Sequence, residues 1–210
     1  MADNRSTQGG GGVFSRDAVV HGCTIVSNTS GSGGGLQTTG SSVIWNTILL
    51  FNAGSGTSSN FNADAGATYT GCCLAPLPGT GTGNLYADPL FVNRAGGNFR
   101  LARGSPCIDR NVAVGPATRD PDGVLRPQAG DGDGIALYDP GAYEYVLPRV
   151  VNDFEYDGKT DLAVCQTATL NWYVQYSRGI PALAGQNWGW NATRPVNNQY
   201  PLNRRFGLLP

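Results

Sequence analysis

The chain has 210 residues, enough for one substantial core or two small ones. Fourteen basic residues face 15 acidic ones, so the net charge of −1 provides no field to attract polyanions, and no Arg cluster interleaves with aromatics before the last fifteen residues; both facts argue against nucleic-acid binding. Charged residues are only 14%, against a typical ~25%, while Gly reaches 31 and Pro 13, which suits many short strands joined by tight turns rather than long helices.

No stretch holds a sustained 3.6-residue apolar period, and no apolar run approaches the ~18–20 residues of a membrane span. The N-terminus lacks a basic and then apolar signal region and enters at once on a Gly-rich repeat. That pattern suggests a piece of a longer exported protein, with an extracellular or cell-surface location for the parent. Cysteines stand at 23, 72, 73, 107 and 165, with no CxxC pair to hold zinc. They read as buried apolar thiols. Adjacent Cys72 and Cys73 should point to opposite faces of a strand.

In chain order, residues 1–8 are polar and expected to fray. A repeat follows. GGGVF (10–14) recurs as GGGL (33–36), and CTIV (23–26) as NTIL (46–49). Gly12 falls on Gly35, Val20 on Val43, Thr24 on Thr47 and Ile25 on Ile48, each offset by 23 residues. Asn28 and Asn52 follow the matching strands one position out of that register. A fixed period with Gly punctuation and short apolar runs marks a solenoid, in which stacked copies make a core that no single copy can. Two or three short strands per unit suit a parallel β-helix. The spaced leucines of a leucine-rich repeat are missing. TYTGCCL (68–74) reads as a third coil and NLYADPLF (84–91) as a fourth, separated by Gly/Ser/Pro loops.

The segment 88–145 carries ADPLF, NFRLARGSPCID, DPDGVLRP and GAYEY in order. Together with the Gly-rich coils, these motifs resemble the C-terminal end of right-handed parallel β-helix proteins of the pectate-lyase-like kind. The resemblance spans about residues 9–145 and implies that 88–145 closes the stack. It is weakly specific for function, because such folds host polysaccharide lyases, hydrolases and adhesins. From Pro148 onward, VNDFEYDGKTDLAV (151–164), NWYVQYS (171–177) and QNWGWNATRPV (186–196) resemble one incomplete FG-GAP/VCBS-type repeat. Propellers need roughly 4–8 blades, so no closed propeller fits here. The expected fold is all-β: a short right-handed parallel β-helix over 1–147, then a small antiparallel β appendage over 148–210.

The sharpest constellation is Asp153, Glu155, Asp157 and Asp161 around Gly158, with the Lys159 carbonyl able to join. Ca²⁺ takes 6–8 oxygens, and alternating residues of a turning loop can converge on one ion. Glu155 stands where the family usually has Asp, and Tyr156 where Gly is common. The plainer alternative is a solvated acidic turn. Asp120, Asp122, Asp131 and Asp133 form a second acidic set. They are the weak catalytic candidates, but their expected use is to hold turns, and Asp109 should be a buried residue that fixes a loop. His21, the one histidine, lies in an apolar strand.

Glycoside hydrolysis needs two facing carboxyl groups, and a uronate lyase needs a base beside a bound cation. Residues 9–53 offer only Arg16 and Asp17 as charged groups. Trp172, Trp188 and Trp190 are candidates for sugar stacking, although alternating Trp172, Val174 and Tyr176 would also make a small core. The function expected from the sequence is therefore a non-catalytic module that binds a glycan or a protein partner and self-associates through its exposed β-helix end or its C-terminal module. The alternative is a fragment of a polysaccharide lyase or glycoside hydrolase.

Overall fold

The computed structural model describes residues 1–54, 59–62, 66–111, 118–148, 152–154, 159–166, 169, 171–177 and 183–187. Among them are strands and turns and no helix, and no helix is long and apolar enough to cross a membrane. The chain divides into two compact units. The first is Met1–Asp131 with Ile135–Val146; the second is Gly132–Gly134 with Leu147–Pro210.

The first unit is a parallel β-helix. Coil one holds β1 (Val13–Arg16), β2 (Val19–His21), β3 (Thr24–Val26) and β4 (Thr29–Ser30). Coil two holds β5 (Leu36–Thr39), β6 (Val43–Trp45), β7 (Ile48–Leu50) and β8 (Ala53–Gly54). Coil three holds β9 (Phe61–Asn62), β10 (Thr68–Thr70) and β11 (Cys73–Leu74). They stack in parallel as β1-β5-β9, β2-β6-β10, β3-β7-β11 and β4-β8. Leu85 adds a partial fourth rung beside Cys73.

The interior follows from this register. Val20, Ile44 and Tyr69 form one column, Ile25, Leu49 and Leu74 another, and Val13, Leu36 and Phe61 a third. The repeated glycines border these columns. A Cβ on Gly35 would lie 2.5 Å from Asn52 Nδ2 and 2.7 Å from Leu49 Cδ1. Only a residue without a side chain lets the turn close on the core there.

The period is not the constant 23 that the Gly motifs suggest. Val13 pairs with Leu36, but Val20 pairs with Ile44 and Thr24 with Ile48. Coil two carries three residues between its first two strands, Gly40 to Ser42, where coil one carries two, Asp17 and Ala18. Asp17 Oδ1 accepts the Ser41 N–H at 2.9 Å and holds the larger turn. The expected pairs Val20–Val43, Thr24–Thr47 and Ile25–Ile48 are thereby corrected, and Asn28 and Asn52 prove to be in register.

One further expectation changes. Residues 1–8 are not frayed. Ala2, Arg5 and Gly9 bridge in parallel to Val26, Thr29 and Ser32, and the Met1 amino group donates to Thr24 O at 2.6 Å. A polar extended segment can satisfy the open edge of β3 and β4, which is why it is held.

The segment 88–145, expected to close the stack, packs against one side of it. Val26, Ile48, Leu50 and Cys73 lie on the outer face of β3-β7-β11, and they are buried against Leu101, Cys107, Phe91, Phe99 and Ile108. The segment folds over that face, so this sheet is apolar on both sides, as doubly covered parallel sheets are. The cover includes the antiparallel hairpin β12 (Phe91–Asn93) and β13 (Asn98–Leu101), then the pair β14 (Thr118–Arg119) and β15 (Leu125–Arg126). Cys72 belongs to the inner core and Cys73 to the outer one, on opposite faces as the sequence implies.

The second unit is an antiparallel sheet of β16 (Leu162–Gln166), β17 (Asn171–Gln175) and β18 (Leu183–Asn187). Val174 is buried, with Trp172 and Tyr176 half-buried on the same alternation. The fold is thus all-β, a parallel β-helix with an antiparallel C-terminal appendage.

Candidate functional site

Among the described residues, several charged side chains converge where the covering segment turns back on itself. β15 delivers Arg126 into the interior. Its Nε donates to Glu144 Oε2 at 2.8 Å, Nη1 to Gly141 O at 3.0 Å and Nη2 to Asp139 O at 2.5 Å. Arg126 and Glu144 are each only 6% exposed, and the guanidinium lies 5.7 Å from the Tyr138 ring centroid. Glu144 Oε1 accepts the Gln128 N–H at 2.8 Å. Asp139 accepts the Asp109 N–H at 2.8 Å and the Tyr145 N–H at 2.6 Å, one on each oxygen. Asp109 accepts from Asp131 N at 2.7 Å and Leu137 N at 3.3 Å.

This knot is fastened to the coils. Gly141 N donates to Asn46 O at 2.7 Å and Ala142 N to Thr24 Oγ1 at 3.0 Å. The DPGAYEY motif therefore supplies a buried acceptor, a turn and a buried counter-charge within six residues.

Burial dominates the ionisation here. It pushes Asp139 up to about 8, helped by the neighbouring Glu144 and opposed by the two N–H bonds. Burial also raises Glu144, against the Gln128 N–H and Arg126, and raises Asp109. A carboxyl that holds its proton near neutrality can serve as a general acid. Asp139, however, turns both oxygens to backbone N–H groups and is 1% exposed, so its chemistry is to hold the turn.

A folded-state pKa above the unfolded one means that folding binds protons. Stability is therefore greatest below the unfolded value and falls as pH rises through the folded one. His21 works the other way, because burial and then Arg126 lower it from its ordinary 6.5. Between about 6.5, the ordinary histidine value, and about 8, the folded Asp139 value, the Asp139 contribution falls by at most about 2 kcal/mol. Urea midpoints should fall over this range, and Asp139→Asn should flatten the slope. An equal slope in both proteins would contradict the assignment.

The other acidic residues singled out in the sequence take up defined structural roles. Asp120 is buried and caps its own turn, accepting from Asp122 N at 2.9 Å, Val124 N at 2.8 Å and Glu144 N at 3.1 Å. Asp122 makes a two-point ion pair with Arg100, including Nε to Oδ2 at 2.6 Å. Asp131 and Asp133 are exposed, and they belong to different compact units. Asp109 fixes a loop, as expected, but is half-buried rather than buried.

His21 is half-buried, edge-on to Trp45 with centroids 6.2 Å apart, and its Nε2 has no hydrogen-bond partner among the described residues. It is thus neither a solvent-facing residue nor a satisfied core residue.

Of the acidic loop singled out as a candidate cation site, Asp153 and Asp161 are buried and Lys159 is exposed, while Glu155 and Asp157 lie outside the described residues. Asp161 accepts from Phe154 N at 2.7 Å and Ser177 N at 2.9 Å, which ties the loop to the end of β17. Among the described residues no group of three acidic, His or Cys side chains could hold a metal ion, so these members alone do not complete a cation site. Trp172 is half-buried in β17, and Trp188 and Trp190 lie outside the described residues.

Sequence reasoning missed two groups. One is the Arg126–Glu144 pair. Its signal was available as an Arg and a Glu inside short turn-bounded motifs of a chain with few charges. The other is an aromatic cluster. Phe51 is 37% exposed, with the Arg94 guanidinium 4.2 Å over its ring. Phe91 stands edge-on to it at 6.4 Å, and Phe99 stands 5.5 Å from Phe91.

The fold and these sites define a parallel β-helix whose covering segment is locked by a buried charge knot. No family model, curated protein or solved structure matches the chain.

Proposed function

We propose that this chain is a non-catalytic module of an exported or cell-surface protein, built on a pectate-lyase-like β-helix, that binds carbohydrate or, failing that, a protein partner. The observation that carries this reading is how the closing-segment carboxylates are engaged. Asp120, Asp139 and Glu144 accept backbone N–H bonds in the interior, and Asp122 pairs with Arg100. A glycosidase needs two carboxyl groups free to face a scissile bond. On the described coils Asp17 holds the Ser41 turn. Phe51 is partly exposed with the Arg94 guanidinium stacked over one face of its ring, which sets an aromatic surface for sugar C–H groups next to a donor for sugar hydroxyls.

A glycan array with the intact chain tests this. Binding should appear on a polysaccharide class and drop at least about tenfold, 1.4 kcal/mol, in Phe51→Ala. A blank array removes the carbohydrate reading. Release of product from pectin, alginate or glycosaminoglycan panels, lost in Asp131→Asn or Asp133→Asn, would replace it with a polysaccharide lyase or hydrolase.

Ca²⁺ in the C-terminal unit belongs to the same proposal, with Asp153, Glu155, Asp157, Asp161 and the Lys159 carbonyl as its ligands. Thermal unfolding with Ca²⁺ should exceed that with chelator by about 2.7 kcal/mol at a hundredfold excess over Kd. Superimposed melts would remove the metal.

A further inference from the structure

The outer apolar core of the first unit contains two cysteines from distant parts of the chain. Cys73 stands in β11, on the last full coil. Cys107 stands in the Gly-Ser-Pro-Cys turn of the segment that covers it. Both are 0% exposed and share one cluster with Val26, Ile48, Leu50 and Leu101. The two thiols are neighbours within that cluster, each shifting the ionisation of the other, and Cys73 Sγ donates to Ala87 O at 3.3 Å.

The turn that presents Cys107 is held firmly. Cys107 N donates to Ser105 Oγ at 3.1 Å, and that hydroxyl donates to Pro89 O at 2.7 Å. Cys72 faces the other core and Cys23 is half-buried among the inner-core residues, so neither competes. Cys165 belongs to the second unit.

We propose that Cys73 and Cys107 are a disulfide pair, an oxidative staple that fastens the covering segment to the last coil. A small-molecule disulfide such as oxidised glutathione supplies the oxidising equivalents. The Cys73 thiolate attacks one donor sulfur, the donor S–S bond breaks, and one donor thiolate leaves. Cys107 then loses its proton and attacks the Cys73 sulfur, which expels the second donor thiolate. One S–S bond forms in the protein and one breaks in the donor. Two electrons pass to the donor, and the two thiol protons end on its two thiols. Because both sulfurs are inaccessible once the segment is closed, the bond forms during folding and resists reduction afterwards.

The cross-link closes a loop of about 35 residues, long enough to restrict the unfolded chain appreciably. It also ties together two elements whose only other connection is packing and hydrogen bonds.

The test refolds the full chain in a mixture of reduced and oxidised glutathione, denatures it with an alkylating reagent, and counts labels by intact mass. Three of the five cysteines should be labelled, and a peptide map should show residues 73 and 107 joined. Reduction should lower the unfolding midpoint by about 10 °C. Cys107→Ser should show four labels and no dependence on reductant. Five labels on the wild-type chain, or a cross-link joining any other pair, overturns the proposal. If the variant fails to fold, the label count and peptide map of the wild-type chain decide the matter by themselves.

Discussion

Glu144→Ala should lower the stability of the first unit by about 3–5 kcal/mol, since it leaves the Arg126 guanidinium buried without its counter-charge. The expectation rests on placement. The pair is closed from water, with side-chain exposures of 6% and 0%, and the same carboxylate accepts the Gln128 N–H. Against a typical total of 5–15 kcal/mol, such a loss would leave the covering segment partly detached. Urea unfolding followed by tryptophan fluorescence measures it.

Arg126→Met should be similarly harmful, because Gly141 O and Asp139 O lose their donors. The double variant Arg126→Met/Glu144→Leu should recover part of the loss, since removing both charges removes the desolvation penalty as well. A cost below about 1 kcal/mol for Glu144→Ala would show the knot to be incidental. The contrasting case is Arg100–Asp122, whose side chains are 47% and 36% exposed. Asp122→Ala should leave the midpoint where it was, because solvent screens that pair.

Asn52→Ala should be nearly as damaging, at about 3–5 kcal/mol from orphaned polar groups and a cavity. Asn52 sits in a ladder that climbs the coils. Its Oδ1 accepts Asn28 N at 2.9 Å and Asn28 Nδ2 at 3.0 Å. Its Nδ2 donates to Ile25 O at 2.9 Å, Leu50 O at 3.0 Å and Asn60 Oδ1 at 3.3 Å. Asn28 repeats the arrangement one coil down, with Asn4 Nδ2 and Asn4 N donating to its Oδ1. Asn28 is fully buried, so water cannot replace the lost partner.

Asn52→Asp should fare no better. It keeps acceptors but loses the donors that satisfy two buried carbonyls, and it adds a charge. Asn4→Ala, at the exposed end of the ladder, should cost much less. Thermal melts of the three variants provide the comparison, and equal effects at Asn4 and Asn52 would refute the burial argument.

Much of the coil architecture was legible in the sequence because its signals are local. Gly-rich turns, apolar triplets and recurrent Asn each mark one position within a coil, and stacking repeats them. Ile25 over Leu49 over Leu74 is that recurrence in space. The register slipped by one because the offset of 23 holds for the Gly motifs before the turn that carries the extra residue, and the CTIV/NTIL likeness after it continued that offset one residue off the true pairing. Only Asn28 and Asn52, which lie after it, kept the true spacing of the later strands. The acidic motifs were legible as turns for the same local reason, and Asp120 holds its turn through residues two and four positions on.

Residue order alone was enough to specify a stack of short β-coils. It also located the carboxylates that hold turns. Three-dimensional packing was needed to bring residues 88–145 over the outer face of β3-β7-β11. The same packing brings Arg126 to Glu144, 18 residues away, and Cys73 to Cys107. The physical reason is that alternation along a strand specifies which side chains share a face. It carries no information about which distant segment will cover that face, and that choice is made by the shape and polarity of the two surfaces once both have formed.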